Sequence, residues 1–242
     1  MNRASLAGLA AGAQSASFQP GDAGWRGGGG TPYSAAQIGL WVFMGVVCSL
    51  FVLFSVAYMM RIGYGDWRPA PLVPWQLWLS TALLGVGSVS WHMAARARLP
   101  AAAGAPAATD SAMPGTRPNA AMLRWCALAW LSAVGFLASQ LGGWQALTAQ
   151  QYLPTASPGA GFFYMLTALH GLHVLGGMVA AAVVTAGLRR RGGDARSRSG
   201  LALCAQYWHL LLIVWLALFG LLFSVTPELV QAVCASVGIG VR

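Results

Sequence analysis

The chain has 242 residues, of which 57% are apolar and only 8% are charged. Ordinary soluble domains carry about 25% charged residues, so this composition excludes a water-soluble globular protein. The net charge of +9 comes from arginines in short segments between long apolar runs, which is typical of membrane topology rather than of nucleic-acid binding.

Residues 1–34 are rich in alanine, glycine and serine, and we expect a flexible cytoplasmic tail there. Five apolar runs follow, each near or above the roughly 20 residues that span a bilayer. A backbone in lipid must satisfy its own hydrogen bonds, so each run is predicted to be a helix. The predicted fold is an all-α, polytopic membrane bundle over 35–225, with five transmembrane helices at about 35–60, 74–95, 122–147, 161–188 and 201–225. Residues 226–242 are predicted to be a short external tail.

Arginine counts predict the orientation of this bundle. The N-terminal tail and the loops after the second and fourth helices hold eleven arginines, whereas the opposite side holds three. The positive-inside rule therefore predicts a cytoplasmic N-terminus and a periplasmic or external C-terminus. In the first external loop, Asp66 between Arg61 and Arg68 is predicted to form a salt-bridged turn, with a docking surface for a neighbouring subunit as the alternative.

Small residues four apart predict close helix packing. They occur on the third helix as Gly135, Ser139 and Gly143, and on the fourth as Gly177 and Ala181. We expect these ridges to pack within the bundle.

The acidic residues and cysteines argue against chemistry on this chain. All five acidic residues lie outside the apolar runs, whereas ion-coupled transporters and pumps usually place an ionisable group at membrane depth. The four cysteines occur singly, without a CxxC or CxxxC pair that would hold a metal.

The four histidines of the chain are candidate ligands for haem or for a metal ion. His173 and His209 differ by roughly 10 Å in predicted depth, and His92 and His209 match better. We favour buried polar residues that bond across helices over haem ligands. His170 and His173 share a helix face but lack the further ligands of a metal site. A hydrolase built on Ser88 is disfavoured because serines in membrane helices usually bond to backbone.

Two segments resemble subunit III of the haem–copper oxidases. Residues 161–177, GFFYMLTALHGLHVLGG, are similar to the family's FYxLTGxHGLHVxxG, and residues 207–215, YWHLLLIVW, are similar to its YWHFVDxVWLFLF. The segments IGLWVFM from Ile38 and LWLSTALL from Leu77 resemble the family's LGMWLFL and LWxNTxLLxxSS, so the resemblance covers about 36–225. The residues that match the family motifs, to which we assign a structural or interface role, are Tyr164, Thr167, His170, Gly171, His173, Gly177, Tyr207, Trp208, His209 and Trp215.

The resemblance implies an accessory, non-redox subunit of a terminal respiratory oxidase of the cytochrome c oxidase type in a bacterial cytoplasmic membrane. Such a subunit supports the stability and proton uptake of the catalytic subunit in aerobic electron transport. Haem and copper are expected in catalytic subunit I, with subunit II as a second partner and structural phospholipid bound. No catalytic, cofactor-binding or metal-binding residue is expected here. The alternatives are subunit III of a quinol oxidase, a nitric-oxide reductase accessory subunit, and a stand-alone membrane transporter.

Two family carboxylates are replaced in this chain. Val47 stands where the family has the glutamate of LxSEVMFF, and Leu212 stands where it has the aspartate of YWHFVD. The first two of the family's usual seven helices are also missing, together with one wall of its lipid cleft. Any role of those carboxylates is therefore not carried over.

Overall fold

The computed structural model describes residues 34–62, 75–97, 120–191 and 195–224. These residues form five α-helices and no β-strand: α1 (Ala35–Arg61), α2 (Trp75–Arg96), α3 (Ala120–Ala149), α4 (Pro158–Arg191) and α5 (Ala195–Ser224). The all-α fold class is therefore confirmed. The predicted tail at 1–34, apart from residue 34, lies outside the described residues, as do the predicted tail at 226–242 and the predicted turn at Asp66.

Four of these helices, α1, α3, α4 and α5, are long and apolar enough to cross a membrane. Helix α2 has 22 residues, which is about 33 Å at 1.5 Å per residue and also enough for the hydrocarbon core. A larger fraction of its side chains is polar than in the other four helices, and several of these polar side chains bond to α3 and α5. Helix α5 begins at Ala195 rather than at residue 201, because its first turn is polar and lies before the apolar run.

Helix α5 lies at the centre of the packing, where it contacts α1, α2 and α4. Helix α2 packs most extensively against α3 and then against α5, while α4 packs mainly on α5. Helix α1 lies against α5 and α4, and its buried residues are Val47, Phe51 and Tyr58. The rest of α1 exposes large apolar side chains, which lipid tails or another membrane subunit accommodate without cost.

The small-residue ridge of α3 packs directly on α2, as predicted. The Ser139 hydroxyl donates a hydrogen bond to the Gln76 carbonyl at 2.6 Å. A Cβ atom at Gly135 would lie 3.3 Å from Leu83, so the glycine permits the close approach of the two helices.

The connection from α3 to α4 is fixed by two helix caps. Gln151 has a φ of 60°, and the Tyr152 amide donates to the Leu147 carbonyl at 3.1 Å, which is the Schellman pattern at a helix end. At the start of α4, the Ser157 hydroxyl accepts a hydrogen bond from the Ala160 amide at 3.2 Å, and Pro158 occupies the first helical position. Burial raises the pKa of Tyr152, which lies between the caps, to about 12, so its phenol stays neutral at physiological pH.

Candidate functional site

The two segments that resemble the oxidase family lie against each other. The Tyr207 hydroxyl donates a hydrogen bond to the backbone carbonyl of His173 at 3.0 Å. One turn further along α4, a Cβ atom at Gly177 would lie 2.7 Å from Tyr207 and 2.8 Å from Trp208. Only a residue without a side chain therefore allows these two aromatic rings to reach α4 in this arrangement.

His170 is buried in a cage of aromatic rings. Its ring centroid lies 6.2 Å from Phe51, 5.7 Å from Phe136 and 5.3 Å from Trp215. The residue is 0% exposed, and neither ring nitrogen has a hydrogen-bond partner among the described residues. An unpaired buried polar group typically costs about 1–3 kcal/mol. The cage therefore holds the imidazole chiefly as a flat ring that fills space between α1, α3, α4 and α5.

His173 differs from His170 in having a partner for its ring. Its Nδ1 lies 2.7 Å from the Leu169 carbonyl, so this nitrogen carries the proton and donates. The ring also lies 5.4 Å from Phe51. The two α4 histidines therefore flank one phenylalanine of α1, and each is held without a charge partner.

Trp215 joins α5 to α2. Its indole nitrogen donates to the Thr81 hydroxyl at 2.9 Å, and the Thr81 hydroxyl donates in turn to the Leu77 carbonyl at 2.9 Å. The indole also meets Phe136 edge to face at 5.4 Å. Trp215 therefore connects α2 to the aromatic cage around His170.

His209 bonds across two helices with Ser88 and His92. The Ser88 hydroxyl lies 2.5 Å from His209 Nδ1, and His209 Nε2 lies 3.4 Å from His92 Nδ1. His92 and His209, whose predicted depths match better than those of His173 and His209, are therefore in contact, and these polar side chains bond between α2 and α5. Ser88 is 1% exposed, so no substrate reaches its hydroxyl in this arrangement, and the Ser–His contact serves packing rather than hydrolysis.

The contact between His92 and His209 does not fit a haem held between these two rings. A haem held by two histidines keeps their rings on opposite faces of the macrocycle, whereas His92 and His209 contact each other directly. Within the described ranges, no group of three or more histidine, cysteine or acidic side chains is arranged to hold a metal ion.

The remaining motif residues fasten the other half of α4. Tyr164 donates to the Tyr152 carbonyl at 2.9 Å, and the Trp144 indole donates to the Thr167 hydroxyl at 3.2 Å. A Cβ atom at Gly171 would meet Leu137 at 3.9 Å, which is ordinary contact. These bonds join α4 to α3 and to the connection that precedes α4.

Sequence reasoning did not identify one buried polar pair. Gln140 of α3 donates to the Ser80 hydroxyl of α2 at 2.8 Å, and both side chains are buried. The signal was an amide side chain deep within the apolar run of α3. Its partner was not apparent, because several serines of α2 are equally good candidates.

The two replaced carboxylate positions are both apolar and packed. Val47 is 3% exposed and lies one helical turn before Phe51 on the same face of α1. Leu212 is partly buried and packs against the hydrophobic core. The region of His170 and His173 therefore contains no carboxylate from either position.

The family model described as cytochrome c oxidase subunit III matches residues 113–225, which contain α3, α4 and α5. The cytochrome bo(3) ubiquinol oxidase subunit 3 of Pseudomonas aeruginosa is 24% identical over 189 residues, covering 76% of this chain and 82% of the relative. The cytochrome c oxidase subunit 3 of Thermostichus vulcanus is 38% identical over 68 residues, covering 28% of this chain and 34% of the relative. The probable cytochrome c oxidase subunit 3 of Mycobacterium leprae is 28% identical over 103 residues, covering 42% of this chain and 50% of the relative.

The fold and the packed motifs define a multi-pass helical membrane protein whose histidines and aromatic residues hold its helices together. The chain is similar to the cytochrome c oxidase subunit III family of the haem–copper oxidases. The relatives that it resembles are named as subunits of oxidases.

Proposed function

We propose that this chain is the accessory, non-redox subunit III of a terminal haem–copper respiratory oxidase of the cytochrome c oxidase type. In this proposal it stabilises catalytic subunit I and supports its proton uptake during aerobic respiration. Haem and copper belong to the partner subunits, with subunit II as the second partner. The chain lies in a bacterial cytoplasmic membrane with its N-terminus in the cytoplasm.

The observation that carries this proposal is the contact between the two family motifs. Tyr207 bonds to the backbone of α4 at His173, and the aromatic rings of α5 pack at Gly177. Residues that the family motifs share are therefore used here to fasten α4 to α5. A helical bundle held together in this way is consistent with a subunit that stabilises the neighbouring catalytic subunit.

The exposed face of α1 also supports an accessory role. Trp41, Leu53 and Met60 are 60%, 70% and 75% exposed. Helix α1 resembles the third of the family's usual seven helices. In the proposal, another subunit or bound lipid covers this face.

The experiment that tests the proposal is purification of the tagged chain from its native membrane in a mild detergent. The expected result is a coloured complex whose reduced-minus-oxidised spectrum contains haem bands, together with a catalytic subunit that dissociates when this chain is stripped away. A colourless chain that purifies alone would contradict the proposal and favour a stand-alone transporter.

A quinol-oxidising complex is the second candidate. It is favoured by the relative named cytochrome bo(3) ubiquinol oxidase subunit 3, whose similarity extends over 76% of this chain. Electron-donor specificity lies in other subunits. The two candidates are therefore separated by testing whether the purified complex consumes oxygen with reduced cytochrome c or with ubiquinol.

A further inference from the structure

The imidazole of His209 on α5 has both of its ring nitrogens directed at side chains of α2. Nδ1 lies 2.5 Å from the Ser88 hydroxyl, and Nε2 lies 3.4 Å from Nδ1 of His92. Ser88 and His92 are four residues apart, so they share one face of α2. Two side chains of the neighbouring helix therefore fix the orientation of the His209 ring.

The spacing of the two facing nitrogens indicates what lies between them. Two imidazole lone pairs that face each other repel, so the pair needs either a proton or a metal ion between the nitrogens. Hydrogen bonds donated by N–H groups usually span about 2.7–3.2 Å, which is shorter than the 3.4 Å between His209 Nε2 and His92 Nδ1. Two Zn–N bonds of about 2.0–2.1 Å at the tetrahedral angle hold their nitrogens about 3.3–3.4 Å apart. The observed spacing therefore matches a metal ion.

The Ser88 hydroxyl supplies the support that a histidine ligand usually has. In the tautomer that binds a metal through Nε2, His209 donates its Nδ1 proton to Ser88 Oγ. Such a hydrogen bond fixes the ring orientation and raises the basicity of the ligating nitrogen. The ring centroids of His92 and His209 lie 5.4 Å apart with an angle of 58° between the ring planes. The rings are therefore not stacked, and their facing nitrogens meet at one point.

An ion from water reaches this pair over a short distance. Both histidines are partly exposed. His92 lies four residues before Arg96, the last residue of α2, which is about 6 Å along the helix axis. Arg96 itself is exposed. The pair therefore lies about one helical turn from the end of α2.

We propose that His92 Nδ1 and His209 Nε2 bind one Zn²⁺ ion, with water in its remaining coordination positions. Among the described residues, no third histidine, cysteine or acidic side chain completes the site. Resident zinc sites have three or four protein ligands, so an ion with two is bound reversibly from solution and links α2 to α5. The proposal does not rest on the oxidase function, since it needs only two helices of this chain.

The test uses the chain as it purifies from its native membrane, dialysed against Zn²⁺ and analysed for zinc per copy of the chain. His92→Asn keeps a polar side chain but removes the imidazole, and it is expected to bind one zinc fewer than the wild type. His92→Cys supplies a thiolate, which is also a zinc ligand, and is expected to keep that zinc. Zinc held by any partner subunit is the same in all samples, so the difference reports this site alone.

The matched control is His173→Asn. The Nδ1 atom of His173 bonds to the Leu169 carbonyl rather than facing a second imidazole, so this variant is expected to bind as much zinc as the wild type. Equal zinc in the wild type and in His92→Asn would overturn the proposal, because the two rings would then share only a proton. Loss of the zinc in His92→Cys would overturn it as well.

Ser88→Ala keeps both proposed ligands and tests the site without removing either. It is expected to weaken zinc binding about 10–100-fold, as the loss of a supporting hydrogen bond usually does. Zinc is also expected to raise the midpoint of thermal dissociation of the wild type, but not of His92→Asn, because an ion bound only to the folded state stabilises it. Unchanged zinc affinity in Ser88→Ala, or an equal thermal gain in His92→Asn, would contradict a metal between the two histidines.

Discussion

The phenol of Tyr207 donates a hydrogen bond to the backbone carbonyl of His173 at 3.0 Å, which ties α5 to the middle of α4. Hydrogen bonds between membrane helices contribute about 0.6 kcal/mol on average, so this bond alone does not hold the helices together. The close packing around Gly177 contributes the larger part, because it brings two aromatic rings of α5 onto the α4 backbone.

The first prediction concerns Gly177. Gly177→Ala places a methyl group 2.7 Å from Tyr207 and 2.8 Å from Trp208, and forced overpacking typically costs about 1–3 kcal/mol. We expect a lower midpoint of thermal dissociation for the purified complex and weaker retention of this chain. The matched control is Gly176→Ala, where a Cβ atom meets nothing within 4 Å, and where alanine favours the helix by up to about 1 kcal/mol. Equal behaviour of the two variants would contradict the packing role of Gly177.

The second prediction concerns the cage around His170. Because neither imidazole nitrogen has a described partner, His170→Leu removes no hydrogen bond, and such an apolar replacement usually costs less than about 1.5 kcal/mol. His170→Ala empties the cage and is expected to cost about 2–5 kcal/mol. The measurement is thermal stability of the complex, with the haem difference spectrum as a second readout that we expect both variants to leave unchanged. If the leucine variant is as unstable as the alanine variant, the imidazole has a partner in the assembled complex.

The helices, and the membrane depth of some residues within them, were predictable from the sequence. Lipid imposes both a length and a hydrogen-bonding requirement on each apolar run. His92 and His209 illustrate this point, since counting residues from the helix ends placed them at matching depth and the structure brings them within 3.4 Å. The ridge at Gly135 and Ser139 was predictable for a similar reason, because small residues four apart permit a close approach.

The faces of the helices were less predictable. In water, apolar periodicity reveals which side of a helix is buried. In lipid both sides of a helix are apolar, so the sequence pattern gives little indication of which side packs against the other helices. The partner of Gln140 therefore had to come from the structure, as did the aromatic rings around His170. The early start of α5 at Ala195 was missed because helices extend beyond the apolar run into polar turns.

The third prediction uses the asymmetry of the bond between Gln140 and Ser80. The Ser80 hydroxyl accepts from Gln140 at 2.8 Å and donates to the Leu77 carbonyl at 2.8 Å. Gln140→Leu leaves Ser80 bonded to Leu77 and is expected to cost less than about 1 kcal/mol, whereas Ser80→Ala leaves the buried amide without a partner and is expected to cost about 1–3 kcal/mol.

The double variant S80A/Q140L provides the control for this pair. We expect it to be more stable than Ser80→Ala alone, because it removes the amide that the single change leaves unpaired. The measurement is the midpoint of thermal dissociation of the complex, compared between the wild type and each of the three variants. Additive effects of the two single changes would indicate that the contact between α2 and α3 does not couple these residues.

The fourth prediction concerns the end of α3. Gln151 has a φ of 60°, a conformation that costs residues with a Cβ atom roughly 1–2 kcal/mol and that glycine adopts readily. The Schellman bond from the Tyr152 amide to the Leu147 carbonyl needs this conformation. Gln151→Gly is therefore expected to raise the stability of the complex by about 0.5–1 kcal/mol, measured as a higher midpoint of thermal dissociation. The control Gln150→Gly, at a neighbouring residue without a positive φ, adds only chain entropy to the unfolded state and is expected to lower the midpoint. A gain in both variants would mean that the loop, rather than the left-handed conformation of Gln151, limits stability there.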